Sequence, residues 1–178
     1  MPGESGLIVL DWHNGNRSVL SDSNLKGCVF GMSLQTTHEE LYRAYLEATA
    51  FGTKMIMQQY QSWNMDVEDV FACGGIPKKN PLMMDIYANV LNKKVTIIDS
   101  EYAPAIGAAI LGSVCGGAHQ TLNEAIKSMK EPVLYEVTPD PEKVKRYKKL
   151  FSAYKELHDI HGYKKARIMR NVGKLMET

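Results

Sequence analysis

Short β-rich runs alternating with capped, helically spaced apolar stretches predict an α/β domain with a helical C-terminal end. Three observations carry the prediction. The run Val70-Phe71-Ala72 ends at a double glycine, and a strong helix start follows at once. A second run, residues 95–98, leads through a polar loop to Pro104, a residue suited to the first turn of a helix. The capping box Thr37-His38-Glu39-Glu40 precedes Leu41, Tyr45, Ala48, Gly52 and Met55, which fall on one helical face.

Residues 7–10 are apolar and read as the first strand. The polar turn 11–17 follows, with the turn signal Asn14-Gly15. Two readings stay open for it: a self-bonded turn, or a loop facing a cleft. His13 has no second ligand at metal spacing. Residues 28–32 form a second short strand, interrupted at Gly31. The capping box then opens a helix of about 22 residues, with Glu47 expected at a solvated flank.

Val70–Ala72 reads as a buried strand. Gly74 and Gly75 allow a sharp turn and close approach of a flat ligand. Asn80 is a good N-cap, Pro81 fits the first helical position, and Leu82, Met83, Ile86, Tyr87 and Val90 share a face. Open α/β sheets place ligands at strand–turn–helix junctions of this kind, although an ordinary tight turn has the same spacing.

The helix begun at Pro104 carries the small residues 105–109, which suit either tight packing on a sheet or a bound nucleotide nearby; Gly116-Gly117 ends it. Thr121-Leu122-Asn123-Glu124 is a second capping box. Val133–Val137 is extended, and Asp140-Pro141 starts a long helix with Val144, Tyr147, Phe151 and Tyr154 as its seam. From about Gly162 the chain is basic and expected to be loosely held.

At 178 residues the chain suits one domain with a real core. With 21 basic and 20 acidic residues, no global bias toward nucleic acid or an anionic membrane exists. Cys28, Cys73 and Cys115 are odd in number and lack disulfide-framework or metal-ligand spacing, which favours reduced thiols in a cytoplasmic protein. No run of about 18 apolar residues occurs, and residues 1–6 lack the basic start of a secretory leader.

Taken in order, these motifs resemble the C-terminal domain of the FGGY carbohydrate kinases. Gly27-Cys28-Val29-Phe30-Gly31-Met32, then Glu40-Leu41 and Ala44 through Glu47, are similar to that family's C-terminal signature, with Tyr45 where a smaller or aliphatic residue is usual. Leu10-Asp11-Trp12 with Asn14-Gly15-Asn16-Arg17-Ser18 resembles the branch acting on L-ribulose. So does Ala72-Cys73-Gly74-Gly75-Ile76-Pro77 with Lys79-Asn80-Pro81, and Ala103-Pro104-Ala105 with Gly107-Ala108-Ala109 completes the set. The resemblance covers residues 6–162.

It implies an actin–hexokinase-like fold of two ribonuclease-H-like domains around a cleft, with ATP and Mg2+ as cofactors. By carry-over, Gly74 and Gly75 would lie against adenosine, with Lys79 or Asn80 near the nucleotide; the family often has asparagine where Lys79 stands. The loop 11–17 would face the sugar side of the cleft. Implied partners are L-ribulose or a related ketopentose and an N-terminal kinase domain. Residues 1–162 would be the nucleotide-binding domain, partial at its N-terminus, and residues 163–178 a basic tail.

The family's first phosphate loop is Asp-x-Gly, and no such triplet occurs here. Its catalytic base comes from the N-terminal domain, so no catalytic residue and no metal ligand is assigned to this chain, and nothing in the spacing of Asp11 or Asp99 makes either a substitute. The first reading is therefore part of an ATP-dependent kinase that converts L-ribulose to L-ribulose 5-phosphate in arabinose breakdown, inactive as this chain alone. A second changes the sugar to xylulose, glycerol or gluconate. A third is a free-standing, non-catalytic domain that binds a nucleotide or a partner. Apolar surface left by an absent domain predicts self-association, as in a homo-oligomer, or poor solubility; a monodisperse monomer at high concentration would count against it.

Overall fold

The computed structural model describes residues 5–174. Strands β1 (Ile8–Leu10) and β2 (Cys28–Phe30) pair antiparallel, with Ile8 opposite Phe30. Helix α1 (His38–Ser62) follows, and its capping box forms in full: Thr37 Oγ1 accepts the Glu40 N–H while the Glu40 carboxylate accepts the Thr37 N–H. A second sheet holds β3 (Val70–Ala72), β4 (Val95–Ile98) and β5 (Val133–Val137). β4 lies at its centre, parallel to β3 and antiparallel to β5. Between the strands run α2 (Gly75–Lys79), α3 (Pro81–Leu91), α4 (Ala103–Cys115) and α5 (Leu122–Met129). Helix α6 (Pro141–Asp159), a π-helical turn (Ile160–Lys164) and α7 (Ala166–Lys174) close the chain.

The core forms where α1, α3 and α6 meet over β1. Phe51 of α1 packs against Tyr147, Phe151 and Tyr154 of α6, and Leu10, Ile86 and Val90 fill the space around them. A smaller cluster under the second sheet joins Met84 and Ala88 of α3 to Val95 and Ile97 of β4. The predicted succession of strands and helices along the chain and both long helices are present.

Several local expectations are corrected. Val70–Ala72 is not buried: β3 lies at the end of its sheet, and Phe71 is 65 % exposed on the face away from α3. A one-turn helix, α2, separates the double glycine from Asn80, where a direct turn was expected. Helix α3 buries more than one stripe, taking in Met84, Ala88, Asn89 and Leu91, whereas Leu82 is exposed. The small-residue helix α4 buries none of its residues; its neighbour is α5, not the sheet. The second capping box forms by half: Thr121 caps Glu124, but the Glu124 carboxylate accepts from Gln120 N–H.

Two corrections concern charge. Glu47 is not on a solvated flank; it is 2 % exposed beneath α6. The part of the tail among the described residues, through 174, is not loosely held either, and residues 175–178 lie outside them. Ala166 and Met169 of α7 enter the main core, and Arg170 Nη2 reaches the Asp22 carboxylate at 2.6 Å. An amphipathic helix with two anchoring apolar residues needs no other tether.

His158 ends the α6 seam at 1 % exposure, packed between Trp12, Tyr154 and Tyr163. Its Nδ1–H donates to the Asp159 carboxylate at 3.0 Å. Burial pushes the imidazole below its ordinary pKa of 6.5, and the Asp159 charge only partly opposes this. The unfolded chain therefore takes up the proton first, so stability is held above about pH 6.5 and lost as the pH falls below it. Burial raises the Asp159 carboxyl, but the Lys155 ammonium and His158 outweigh it, so Asp159 stays below 3.8 and acts only in stronger acid. Melting midpoints are expected to drop between pH 7 and pH 5, and to drop less in His158→Gln. Calorimetry across that range checks it, and a flat wild-type profile would overturn the assignment.

Candidate functional site

The strand–turn–helix junction at residues 72–81 lies where β3 and β4, running parallel, both end. Gly74 holds φ at +95°, a conformation side chains resist, and its N–H donates to the Ser100 carbonyl at 2.7 Å just past β4. That bond ties the two strand ends together. Ser100 is buried, and its hydroxyl has no partner among the described residues. No neighbour stands within 4 Å of where a Cβ on Gly74 or Gly75 would lie, so the turn is open on its outer side.

The short α2 is fixed from below. Tyr135 Oη of β5 donates to the Pro77 carbonyl at 2.8 Å, and Lys78 Nζ sits 2.6 Å from Asp99 and 3.7 Å from Glu101. The Asp99 contact, more than the Glu101 charge, raises the Lys78 pKa. With Lys78 committed to these carboxylates, the exposed Lys79 is the cation of this pair that makes no ion pair among the described residues. Asn80 caps α3 as its position predicts: Oδ1 accepts the Met83 N–H at 3.0 Å. Its Nδ2 donates to Tyr42 Oη at 3.2 Å, which leaves one amide hydrogen uncommitted.

Through Tyr42 the turn meets a cavity of about 600 Å³ between the first turns of α1 and α3, walled by His38, Tyr42, Arg43 and Leu82. The structure thus brings Gly74, Gly75, Lys79 and Asn80 together on one turn. It adds Tyr42, Lys78, Asp99 and Ser100, which the sequence reading did not assign to the site. Tyr42 had a signal, one helical turn beyond the capping box. Asp99 and Ser100 had only their position after a predicted strand. Among the described residues no group of three or more His, Cys, Asp or Glu could hold a metal ion. No described helix is long and apolar enough to cross a membrane.

Comparison with known proteins gives the class to which this fold belongs. The profile of the FGGY family of carbohydrate kinases, C-terminal domain, matches residues 2–115; the chain belongs to that family. The ribulokinase of Staphylococcus aureus strain Newman is 75 % identical over 175 residues, 98 % of this chain and 32 % of that protein. The same figures hold for the ribulokinase of strain N315, so the chain spans about a third of the length of the curated relatives it matches. Among solved structures, a xylulose kinase from Rhodospirillum rubrum aligns with TM-score 0.77 at 25 % identity, covering 90 % of this chain and 32 % of that one. A ligand-bound xylulose kinase from Lactobacillus acidophilus aligns with TM-score 0.80 at 22 % identity, covering 94 % and 34 %. The actin–hexokinase-like fold expected from the resemblance is therefore the fold of this chain.

Proposed function

We propose that this chain is the nucleotide-binding part of an ATP-dependent ribulokinase, acting in the cytoplasm and unable to complete the reaction alone. The carrying observation is 75 % identity to ribulokinase along 98 % of the chain, with the Gly74–Asn80 turn open at the ends of two parallel strands. The reaction moves the γ-phosphoryl group of ATP to a terminal hydroxyl of L-ribulose. A bond from phosphorus to the sugar oxygen forms, the bond to the β-phosphate bridging oxygen breaks, and ADP leaves. The hydroxyl proton would go to a carboxylate base, which the family resemblance places outside this chain.

This chain's residues would do the holding. Gly74 and Gly75 present a backbone surface with no Cβ between it and a flat base. Lys79 offers an uncommitted ammonium to the phosphates, and Asn80 one amide hydrogen. Mg2+, when present, neutralises phosphate charge; its ligands would come chiefly from the nucleotide and from outside this chain. Phosphoryl transfer depends on positioning and charge stabilisation, and one wall of a cleft supplies neither.

The purified 178-residue chain, given MgATP and L-ribulose, is expected to release ADP no faster than a protein-free control. Sugar-dependent release would mean the chain carries its own base, and the proposal would fall. Binding is read separately by calorimetry with MgATP. Asn80→Asp keeps the acceptor that caps α3 but removes both amide donors. It is expected to lose about fivefold in affinity, near 1 kcal/mol, with an unchanged melting midpoint.

A further inference from the structure

The end of the second sheet opposite the junction carries surface groups that the proposed function does not use. β3 and β4 run parallel and both begin there, and β5, antiparallel to β4, finishes there just before α6 starts. Helix α1 ends there too, joined to β3 by the loop 63–69. We propose that this end is an interface with a second copy of the chain, in which Trp63 and the carboxylates of residues 66–69 of each copy dock on the lysine face of the other copy's α6. The interface would form whether or not the junction holds a nucleotide, because the two lie at opposite ends of the sheet.

The first patch is apolar and fixed in shape. Tyr60, Trp63 and Met65 are all exposed, Trp63 at 61 %, and the Tyr60 and Trp63 rings meet edge to face at 6.1 Å. Large apolar groups gathered in this way mark an interaction surface, and aromatic residues and Met are the types enriched in interface cores. The backbone beneath them is tied down. Met65 N–H donates to the Tyr60 carbonyl and Asn64 N–H to the Gln61 carbonyl, both at 3.0 Å, with Asn64 at φ +58°. This is the Schellman closure of a helix, and a patch built on it loses little freedom on docking. Asp66, Glu68 and Asp69 follow, all exposed and without an ion-pair partner among the described residues. Asp69 acts on Lys94 only at longer range, behind Glu136.

The second patch is the electrostatic complement. Residues 1–140 hold sixteen Asp and Glu against ten Lys and Arg, whereas residues 141–178 hold four against eleven. A chain of net charge +1 divided in this way matches a second copy of itself, while the carboxylates at 66–69 would repel a nucleic acid. On α6, Lys143 and Lys155 are spent on Asp85 and Asp159. Lys145, Lys148 and Lys149, in its first half, are exposed and have no ion-pair partner among the described residues. Three and four residues apart, they share a face, and like charges at that spacing cost helix stability. The Lys148 charge reaches Lys54 on α1 as well, where it adds to burial in lowering that pKa. An acidic loop docked on this face removes the repulsion. Since both patches lie at one end of the molecule, one two-fold axis pairs them twice and the assembly closes as a dimer.

Sedimentation equilibrium of the 178-residue chain tests it. A monomer–dimer equilibrium is expected, with a dissociation constant that rises at least about tenfold between about 0.05 and about 0.5 M salt. Three variants should each weaken the dimer at least about tenfold without moving the melting midpoint: Trp63→Ala, Lys145→Glu with Lys149→Glu, and Asp66→Lys with Glu68→Lys. An equimolar mixture of the two charge-reversed variants should regain the dimer, since each then offers the other an opposite charge at both contacts. A monomer at every concentration overturns the proposal. So does association unchanged in all three variants, which would assign it to apolar surface elsewhere, or a mixture that stays monomeric. A monomeric chain that binds a DNA duplex, and loses it in the lysine variant, would give α6 another partner and also overturn the dimer.

Discussion

Glu47→Ala is expected to lower the melting midpoint by about 6–12 °C, corresponding to about 3 kcal/mol for a domain of this size. The Glu47 carboxylate, 2 % exposed, accepts from Arg43 Nε at 2.9 Å and from Tyr147 Oη at 3.0 Å. Arg43 Nη2 also donates to Tyr147 Oη at 3.0 Å, closing a three-membered network between α1 and α6. Removing the carboxylate leaves Arg43 Nε and the hydroxyl hydrogen of the buried Tyr147 without their acceptor, and an orphaned buried donor costs more than the bond contributes. Tyr147→Phe removes one donor and should cost only about 1–2 kcal/mol. The double variant should then be less destabilised than the sum, because the two residues share one network. Thermal melts by circular dichroism decide it. A Glu47→Ala midpoint within 1 °C of wild type would mean that the network carries no stability.

Phe51→Ala should cost more, about 4 kcal/mol, or a midpoint lower by about 8–16 °C. Phe51 is 3 % exposed and its ring lies 5.1 Å from Tyr154, 5.9 Å from Phe151 and 6.2 Å from Tyr147 by centroid distance. Three aromatic rings of one helix cannot collapse into the space left by a fourth on another, so most of the cavity would persist. Lys54 also stands 4.9 Å from the Phe151 ring, which limits rearrangement on that side. Phe51→Leu keeps most of the volume and should recover over half the loss. Chemical denaturation gives the comparison; equal losses in the leucine and alanine variants would show that volume is not what Phe51 supplies.

The two predictions mark where sequence reading stops. Arg43 and Glu47 are four residues apart on a helix, the spacing of an ordinary surface ion pair, and nothing local distinguishes a buried pair from an exposed one. What buries Glu47 is Tyr147, 100 residues later. Helix α4, which does not pack on the sheet, has the opposite cause. Its small residues suit close packing, but the described residues bury none of them. The tail was read as loose because lysines and arginines dominate it, yet Ala166 and Met169 are enough to dock α7.

The sequence by itself determined the elements whose causes are local. Thr37, Asn80, Thr121 and Asp140 cap helices because a side-chain oxygen there meets an orphan N–H one turn ahead. Gly74 turns the chain because its backbone demands a positive φ. The order of those elements sufficed to resemble a family, and the candidate residues Gly74, Gly75, Lys79 and Asn80 were legible from one turn. Only the tertiary structure decided that Lys78 is spent on Asp99, that Tyr42 bonds Asn80, and that Glu47 lies in the core. Those outcomes depend on which faces meet across long sequence separations, and no local spacing carries that information.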